Sequence, residues 1–365
     1  MNSPQLTTSL HSWHVKNGAR MVDFAGWEMP IQYSSIMDEH NATRNQATLF
    51  DVSHMGRIDL RGPESETFMD RLTTRKVNGM PAGRIRYSLV CKADGGILDD
   101  ILVYKPSGQQ QDLMLVVNAS NRIKILSWLE AKRAEYGHDI EIVDSTNESS
   151  MIAFQGPRSV EKINRLLNFD FSELKYFNCR YTSIAGMELL LSRTGYTGED
   201  GCEIIVPNAM ANPVWELLHD DHEVTAAGLA ARDTLRLEAA MPLYGHELSE
   251  SINAAQTQLE FAISMKDREF VGKSAIERAT QNSTLPIRVG LILEGKRAGR
   301  EGATILVNDH AVGQVTSGTF SPTLQQPIAM GYITREYAEL GNAVFVDIRG
   351  KQIAATVSEL PFYKR

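Results

Sequence analysis

The chain is poor in cysteine and in positive charge, and it has no long apolar run. Its three cysteines, Cys91, Cys179 and Cys202, are an odd count over 365 residues, widely spaced and without a C-x-x-C pair. That pattern speaks against a disulfide framework and against a cysteine zinc site, and a reducing compartment is expected. Lys and Arg number 37 against 45 Asp and Glu, for a net charge of −8. Proteins that grip nucleic acid ordinarily carry the opposite balance, so nucleic acid is not expected as a partner. The same charge repels anionic small molecules, and any such ligand requires a local basic patch. No stretch reaches the roughly eighteen apolar residues of a membrane-spanning helix. The first thirty residues lack a basic start followed by an apolar block, and the expected location is cytoplasmic. Aromatic residues are only 7%, yet 42% hydrophobic and 22% charged residues are the composition of a globular protein.

Several catalytic signatures are also missing. There is no G-x-S-x-G, H-E-x-x-H or G-x-G-x-x-G, which argues against serine hydrolases, zincins and dinucleotide binding. Gly272-Lys273-Ser274 matches the end of a P-loop, but Asp267 stands where that motif needs its first glycine. Without the full glycine-rich turn, backbone amides cannot cradle phosphates. His219-Asp220-Asp221-His222 offers two histidines three apart with no evident third ligand, so a solvated polar cluster is expected and not a catalytic zinc.

What remains has clear organisation. Residues from about Val52 to Val143 mix short β-rich runs, such as Ile101–Tyr104 and Leu113–Val117, with a helical period over Arg122–Tyr136. A further α+β segment runs from Met151 to about Ala279, with strands near Leu189–Leu191 and Glu203–Val206. Thr280–Thr284, followed by Pro286, reads as a linker. Beyond it come six short β-type runs: Ile287–Leu293, Thr304–Val307, Val312–Thr316, Ile328–Ile333, Ala343–Ile348 and Gln352–Val357. Glycines fall between or beside them, which predicts a small barrel or sandwich.

Four segments bear chemistry. Gly95-Gly96-Ile97-Leu98-Asp99-Asp100 is a tight turn entering a strand, where successive carboxylates point to opposite faces. An inward carboxylate is costly unless paired or used; the alternative is a turn-capping pair. In Leu229–Ala240, apolar residues surround nearly the whole helix, so Arg232, Asp233, Arg236 and Glu238 need partners or a polar cavity. Arg193-Thr194-Gly195-Tyr196-Thr197-Gly198-Glu199-Asp200-Gly201-Cys202-Glu203 leads polar, glycine-rich chain to a carboxylate at a strand start. Such a carboxylate can accept two parallel hydrogen bonds from a planar N–H pair; a hairpin followed by an edge residue is the other reading. Finally, Arg71, Arg75, Lys76, Arg84 and Arg86 form a basic stretch with no acid among them, either a solvated face or a docking site for an acidic partner.

Taken in order, Phe24-Ala25-Gly26-Trp27, Phe50-Asp51-Val52-Ser53-His54-Met55, the Gly95–Asp100 turn, Gly195–Gly201, Ala231–Glu238 and Thr316–Pro322 resemble the aminomethyltransferase, or T-protein, family of the glycine cleavage system. The motifs extend to Pro361-Phe362, over almost the whole chain. The resemblance implies an α+β fold of three domains in a cloverleaf around a central folate channel. The domains would be 1–52 with 143–280, 53–142, and 281–365, the last a small β-barrel. It implies transfer of a methylene carbon from aminomethyl-dihydrolipoyl H-protein to tetrahydrofolate, with release of ammonia and formation of 5,10-methylene-tetrahydrofolate. Tetrahydrofolate would be the one-carbon acceptor, with no metal and no nucleotide. The partners implied are the lipoyl-carrying H-protein and, functionally, glycine decarboxylase (P-protein) and dihydrolipoyl dehydrogenase (L-protein). No nucleic acid and no membrane are involved.

Residue by residue, Asp100 matches the family's essential aspartate, Glu203 the acid that grips the pterin, and Arg232 a folate-site arginine. Met55, Tyr87, Asn118, Tyr196 and Tyr244 match positions lining the folate channel, and Lys364 and Arg365 lie where a C-terminal basic contact is expected. Ala240 departs from the family, which often has glycine there. A folate-binding paralogue serving iron–sulfur-cluster maintenance or regulation is the alternative. Those relatives carry a Lys-Gly-Cys-Tyr type motif, and the matching neighbourhood here, Glu269–Ser274, has no cysteine. Sarcosine- and dimethylglycine-oxidising relatives place this domain after a flavin domain, for which 365 residues leave no room.

Overall fold

The computed structural model describes residues 5–107 and 113–365. Its contacts divide the chain into two compact units, Met1–Ser88 with Ile101–Arg232, and Leu89–Asp100 with Asp233–Arg365.

The first unit is built on a six-stranded sheet in the order Cys179–Ile184, Met187–Ser192, Gly201–Pro207, Ser149–Gln155, Ala47–Asp51, Val224–Ala226. All neighbours are antiparallel except the last pair. Leu49, Ile152, Phe154, Leu191 and Ile204 form a core with Val214 and Trp215 of the helix Asn208–His219. The helix Ile36–Asn45 starts where Ser35 caps it, its Oγ accepting from the Asp38 amide at 3.1 Å. The predicted helix Arg122–Tyr136 forms with those bounds and ends at Gly137, whose φ of 69° gives the left-handed stop. A second sheet runs Arg84–Cys91, Ile97–Lys105, Leu113–Val117, Gly56–Arg61, Glu141–Asp144. The tip of its first hairpin, Leu89–Asp100, belongs to the second unit.

The second unit contains the expected C-terminal barrel, closed by six strands in the order Ile287–Leu293, Gln326–Ile333, His310–Ser321, Thr304–Val307, Ala343–Asp347, Gln352–Ser358. Val289, Leu291, Val315, Val344 and Val346 fill it. Bulges at Ile305/Leu306 and Val315/Ser317 supply the bending that closure needs. The third of these strands is longer than the predicted Val312–Thr316. Ser317–Ser321 carry no β-branched run, but they pair residue by residue with Gln326–Met330, and tertiary pairing overrides weak propensity.

The helix Leu229–Glu238 is largely buried, as expected, with Asp233 its one exposed residue. Asp233 is exposed and forms an ion pair with Arg236 at 2.8 Å. A single charged position on a solvated face is compatible with burial of the rest. Beyond its end, Ala240 adopts φ 55°, a left-handed conformation that glycine adopts without penalty. This explains the family's frequent glycine at that position.

Candidate active site

In the first unit the loop Arg193–Gly201 is fixed almost entirely by side chains. Gln155 Nε2 donates to the Thr194 and Cys202 carbonyls, at 3.2 Å each, while its Oε1 accepts from Thr197 Oγ1 at 3.0 Å. A Cβ on Gly195 would lie 2.0 Å from that Oε1, so only glycine fits there. Arg44 pairs with Glu199 at 3.0 Å and donates to the Thr197 carbonyl at 2.7 Å, with both charged groups buried. Arg193 grips Asp200 through two bonds, 3.1 and 2.6 Å. The loop therefore presents Tyr196 in one place.

The Arg232 guanidinium lies over the Tyr196 ring, 4.7 Å from its centroid, a cation–π arrangement. Its Nη1 is buried and has no hydrogen-bond partner. Burial lowers the Arg232 pKa, against the attraction of Glu203. Glu203 itself is 5% exposed. Burial raises its pKa above the ordinary glutamate value, and Thr194 and Arg232 pull it back down. Sequence reasoning set Glu203 at a strand start beside a possible edge. It lies instead as the third residue of Gly201–Pro207, paired with Ser192 on one side and Ala153 on the other. The edge reading is excluded.

A second loop of this unit carries Met55. Asp51 Oδ1 accepts from the Ser53 amide at 2.9 Å, and its Oδ2 is held by Thr8 at 2.6 Å and His14 at 2.9 Å. Tyr33 closes the chain on His14 Nδ1 at 2.7 Å. Burial alone would push Asp51 up, but hydrogen bonds and the charge of His14 hold it at about 2. Arg57, wholly buried, donates to the carbonyls of Ser53 (2.7 Å), Met55, Thr146 and Ser149 (2.6 Å). His54, between these clamps, is pushed down to about 4 by burial and stays neutral, with its Nδ1 unpartnered. Arg57, Thr194 and His54 escaped sequence reasoning; the latter two stand inside quoted motifs, but nothing in spacing shows which motif residues turn inward.

In the second unit, main-chain bonds fix the Gly95–Asp100 turn. The Ile97 amide donates to the Ser249 carbonyl and the Ala254 amide to the Gly95 carbonyl, both at 3.1 Å. Asn253 Nδ2 donates to the Asp94 carbonyl at 3.1 Å. Gly95 has φ 84°, and a Cβ there would lie 2.2 Å from Asn253 Nδ2. Tyr244 hydroxyl donates to the Ile97 carbonyl at 3.2 Å, which brings Tyr244 to the Asp100 turn. Asp99 is fully buried and Asp100 half-buried, consistent with opposite faces of one strand.

Of the remaining candidates, Met55, Tyr87 and Asn118 are half-buried in the first unit, and Arg365 is exposed in the second. The basic stretch is less uniform than its sequence suggests. Arg75, Arg84 and Arg86 repel one another, but Asp70 and Glu66 lie near Arg86, and Arg71 stacks on Tyr136 at 3.7 Å. Asp221, from the His219–His222 cluster, pairs with Lys162. Among the described residues no group of three His, Cys, Asp or Glu is placed to hold a metal ion. The three thiols are buried and free, with Cys91 and Cys179 pushed up to about 12 by burial. No helix among the described residues is long and apolar enough to cross a membrane.

The first unit thus sets a buried carboxylate near an arginine that lies over a tyrosine ring, and the second holds a half-buried aspartate on a strand. Residues 10–267 match the GCVT N-terminal domain and residues 288–364 the glycine cleavage T-protein C-terminal barrel domain. The chain is 41% identical to the aminomethyltransferase of Cutibacterium acnes, over 98% of both chains. It is 42% identical to that of Streptomyces avermitilis, over 100% of this chain and 99% of the other. The crystal structure of glycine cleavage system aminomethyltransferase T from Bartonella henselae superposes with a TM-score of 0.92 at 33% identity, covering 99% of this chain and 98% of that one. The chain belongs to the glycine cleavage T-protein family and is an aminomethyltransferase.

Proposed function

We propose that this chain moves a methylene carbon from aminomethyl-dihydrolipoyl H-protein to tetrahydrofolate, with Glu203 as the pterin grip and Asp100 as the group that handles protons. The carbon loses its bonds to sulfur and to the amine and gains bonds to folate N5 and N10. The two folate N–H protons end on the released ammonia and on the lipoyl thiol, so the reaction balances without an oxidant, a metal or a nucleotide.

The observation that carries this reading is buried Glu203 with Arg232 drawn to it and lying over the Tyr196 ring. A carboxylate at a protein surface needs no cation with a spare N–H beside it; a buried one that receives a planar N–H pair does. The pterin 2-amino and N3–H groups form such a pair, Arg232 retains an unpartnered donor for a ligand acceptor, and the Tyr196 ring and Met55 offer flat apolar surface. By the family resemblance, Asn118 and Tyr87 in the first unit and Tyr244, Lys364 and Arg365 in the second are further candidates for folate contact. Asp100, half-buried on the strand that follows the Gly95–Gly96 turn, accepts a proton as the folate amine attacks and stabilises positive charge on the carbon.

The partner is the lipoyl-bearing H-protein, within a system that includes P-protein and L-protein, and the Arg75–Arg84–Arg86 cluster steers it. The three-domain division at residues 52, 142 and 280 belongs to the same reading. Ammonia release from aminomethyl-loaded H-protein, measured with and without tetrahydrofolate, tests the assignment; absence of folate-dependent acceleration overturns it. Reversing the charges of Arg75 and Lys76 should flatten the salt dependence of that reaction about twofold or more. An unchanged salt dependence removes the steering role.

A further inference from the structure

Glu203 is the end point of a line of hydroxyl groups. Thr194 Oγ1 donates to Glu203 Oε2 at 2.5 Å. Ser192 Oγ lies 2.8 Å from Thr194 Oγ1, and Tyr104 hydroxyl lies 3.3 Å from Ser192 Oγ. Each hydroxyl has one proton. Thr194 gives its proton to the carboxylate, while Ser192 gives its own to the Glu203 main-chain carbonyl. Ser192 Oγ also sits 3.1 Å from the Glu203 main-chain carbonyl, which ties this line to the same strand position. Tyr104, Ser192 and Thr194 are all buried. Thr194 is thus the buried hydroxyl of this line that donates to the Glu203 carboxylate.

We propose that Thr194 is a positioning residue for folate binding: its hydroxyl occupies Glu203 Oε2 and holds the side chain as an acceptor-only carboxylate for the planar N–H pair of a reduced pterin. The proposal rests on the reading of Glu203 as the pterin grip. A protonated Glu203 would present an O–H where the ligand also presents N–H, and two donors repel. Keeping the acid ionised in a buried place is therefore part of ligand recognition. The charged and titratable groups that face Glu203 are few. From the neighbouring strands come Ser192 on one side and the uncharged Ala153 on the other, and Thr194 follows Ser192 in the loop. Arg232 attracts it from the helix. Tyr104 and Cys202 both feel its charge, and burial raises both well above the neutral range, so they stay protonated. Burial raises Glu203, and only Thr194 and Arg232 oppose this.

The test is the pH dependence of tetrahydrofolate binding by the full chain, measured by anaerobic calorimetry from pH 5 to 9, for the wild type, Thr194→Val and Thr194→Ser. The wild type should lose affinity as pH falls through the Glu203 pKa. Thr194→Val removes the donor at nearly constant volume. It should move that midpoint up by about one pH unit, which makes binding about fivefold weaker at the wild-type midpoint, and the two curves should converge at alkaline pH. Thr194→Ser keeps the donor and should restore the wild-type midpoint. If Val disturbs folding, Thr194→Ala serves as the donor-free variant with the same expected shift. Coincident midpoints for wild type and donor-free variants overturn the proposal, as does a uniform loss of affinity at every pH. A wild type that does not bind tetrahydrofolate, or whose affinity Glu203→Gln leaves unchanged, overturns the pterin-grip reading itself, a separate result.

Discussion

Glu203 lies buried in the middle of a sheet, held by side chains, whereas Asp100 is half-buried on the strand Ile97–Lys105, just past a hairpin turn held by main-chain bonds. Around Glu203 the work of positioning falls to Thr194, Gln155, Arg44 and Arg193, each of which satisfies a buried polar atom that would otherwise be costly. Around Asp100 the segment 249–254 binds the turn backbone, and Gly95 is required by its φ and by Asn253. The contrast suits the roles proposed for the two carboxylates. A grip must be rigid, desolvated and charged, with its cost met by buried partners. A group that exchanges a proton during the reaction works best where water and substrate both reach it and its pKa is not driven far from the working range.

Breaking the reactive side should give the largest effect. Asp100→Asn should lower turnover about a hundredfold or more while leaving the tetrahydrofolate Kd within about threefold. Equal losses in both would turn Asp100 into a second grip and erase the contrast. Next comes the grip. Glu203→Gln keeps the shape but replaces one acceptor oxygen by a donor, and should weaken tetrahydrofolate binding about tenfold to a hundredfold.

The same substitution should raise stability. The folded-state pKa of Glu203 lies above its unfolded value because of burial. Its contribution is therefore full below the unfolded value and is lost as pH rises through the folded one. Above the folded-state pKa the ionised wild-type acid carries a burial cost that neutral Gln does not, so at alkaline pH Tm should rise in Glu203→Gln by about 2 °C. A fall in Tm would mean that Arg232 and Thr194 more than offset burial. The smallest effect is structural and far from both carboxylates in role. Ala240→Gly relieves a left-handed alanine at φ 55° and should add about 1 kcal/mol of stability by urea denaturation, with turnover unchanged.

Much of this contrast was legible before the fold was known. Asp100, Glu203 and Arg232 stood in segments whose charge was out of place among apolar neighbours, and burial bears that out for Glu203 and for the Arg232 Nη1 atom. The barrel strands followed from β-rich runs separated by glycine, and five of the six kept their predicted bounds to within about two residues. The strand through Ser317–Ser321 did not, because its pairing depends on a partner strand and not on its own residues. Thr194, Ser192 and Tyr104 were invisible as a unit for a similar reason. Tyr104 lies on Ile97–Lys105, Ser192 ends Met187–Ser192 and Thr194 follows in the loop, with 88 positions between Tyr104 and Ser192, and only packing lines up their hydroxyls. Asp70 and Glu66 near Arg86 illustrate the same limit for charge. A stretch that is purely basic along the chain is partly neutralised once the helix before it folds back.

The division of labour between the two carboxylates is tested most directly by tetrahydrofolate-dependent ammonia release from aminomethyl-loaded H-protein at saturating folate, comparing Asp100→Asn with Glu203→Gln. The account predicts that saturation brings Glu203→Gln back to within about tenfold of wild type while Asp100→Asn stays about a hundredfold or more below it. Recovery of Asp100→Asn at high folate, with Glu203→Gln remaining slow, would contradict it.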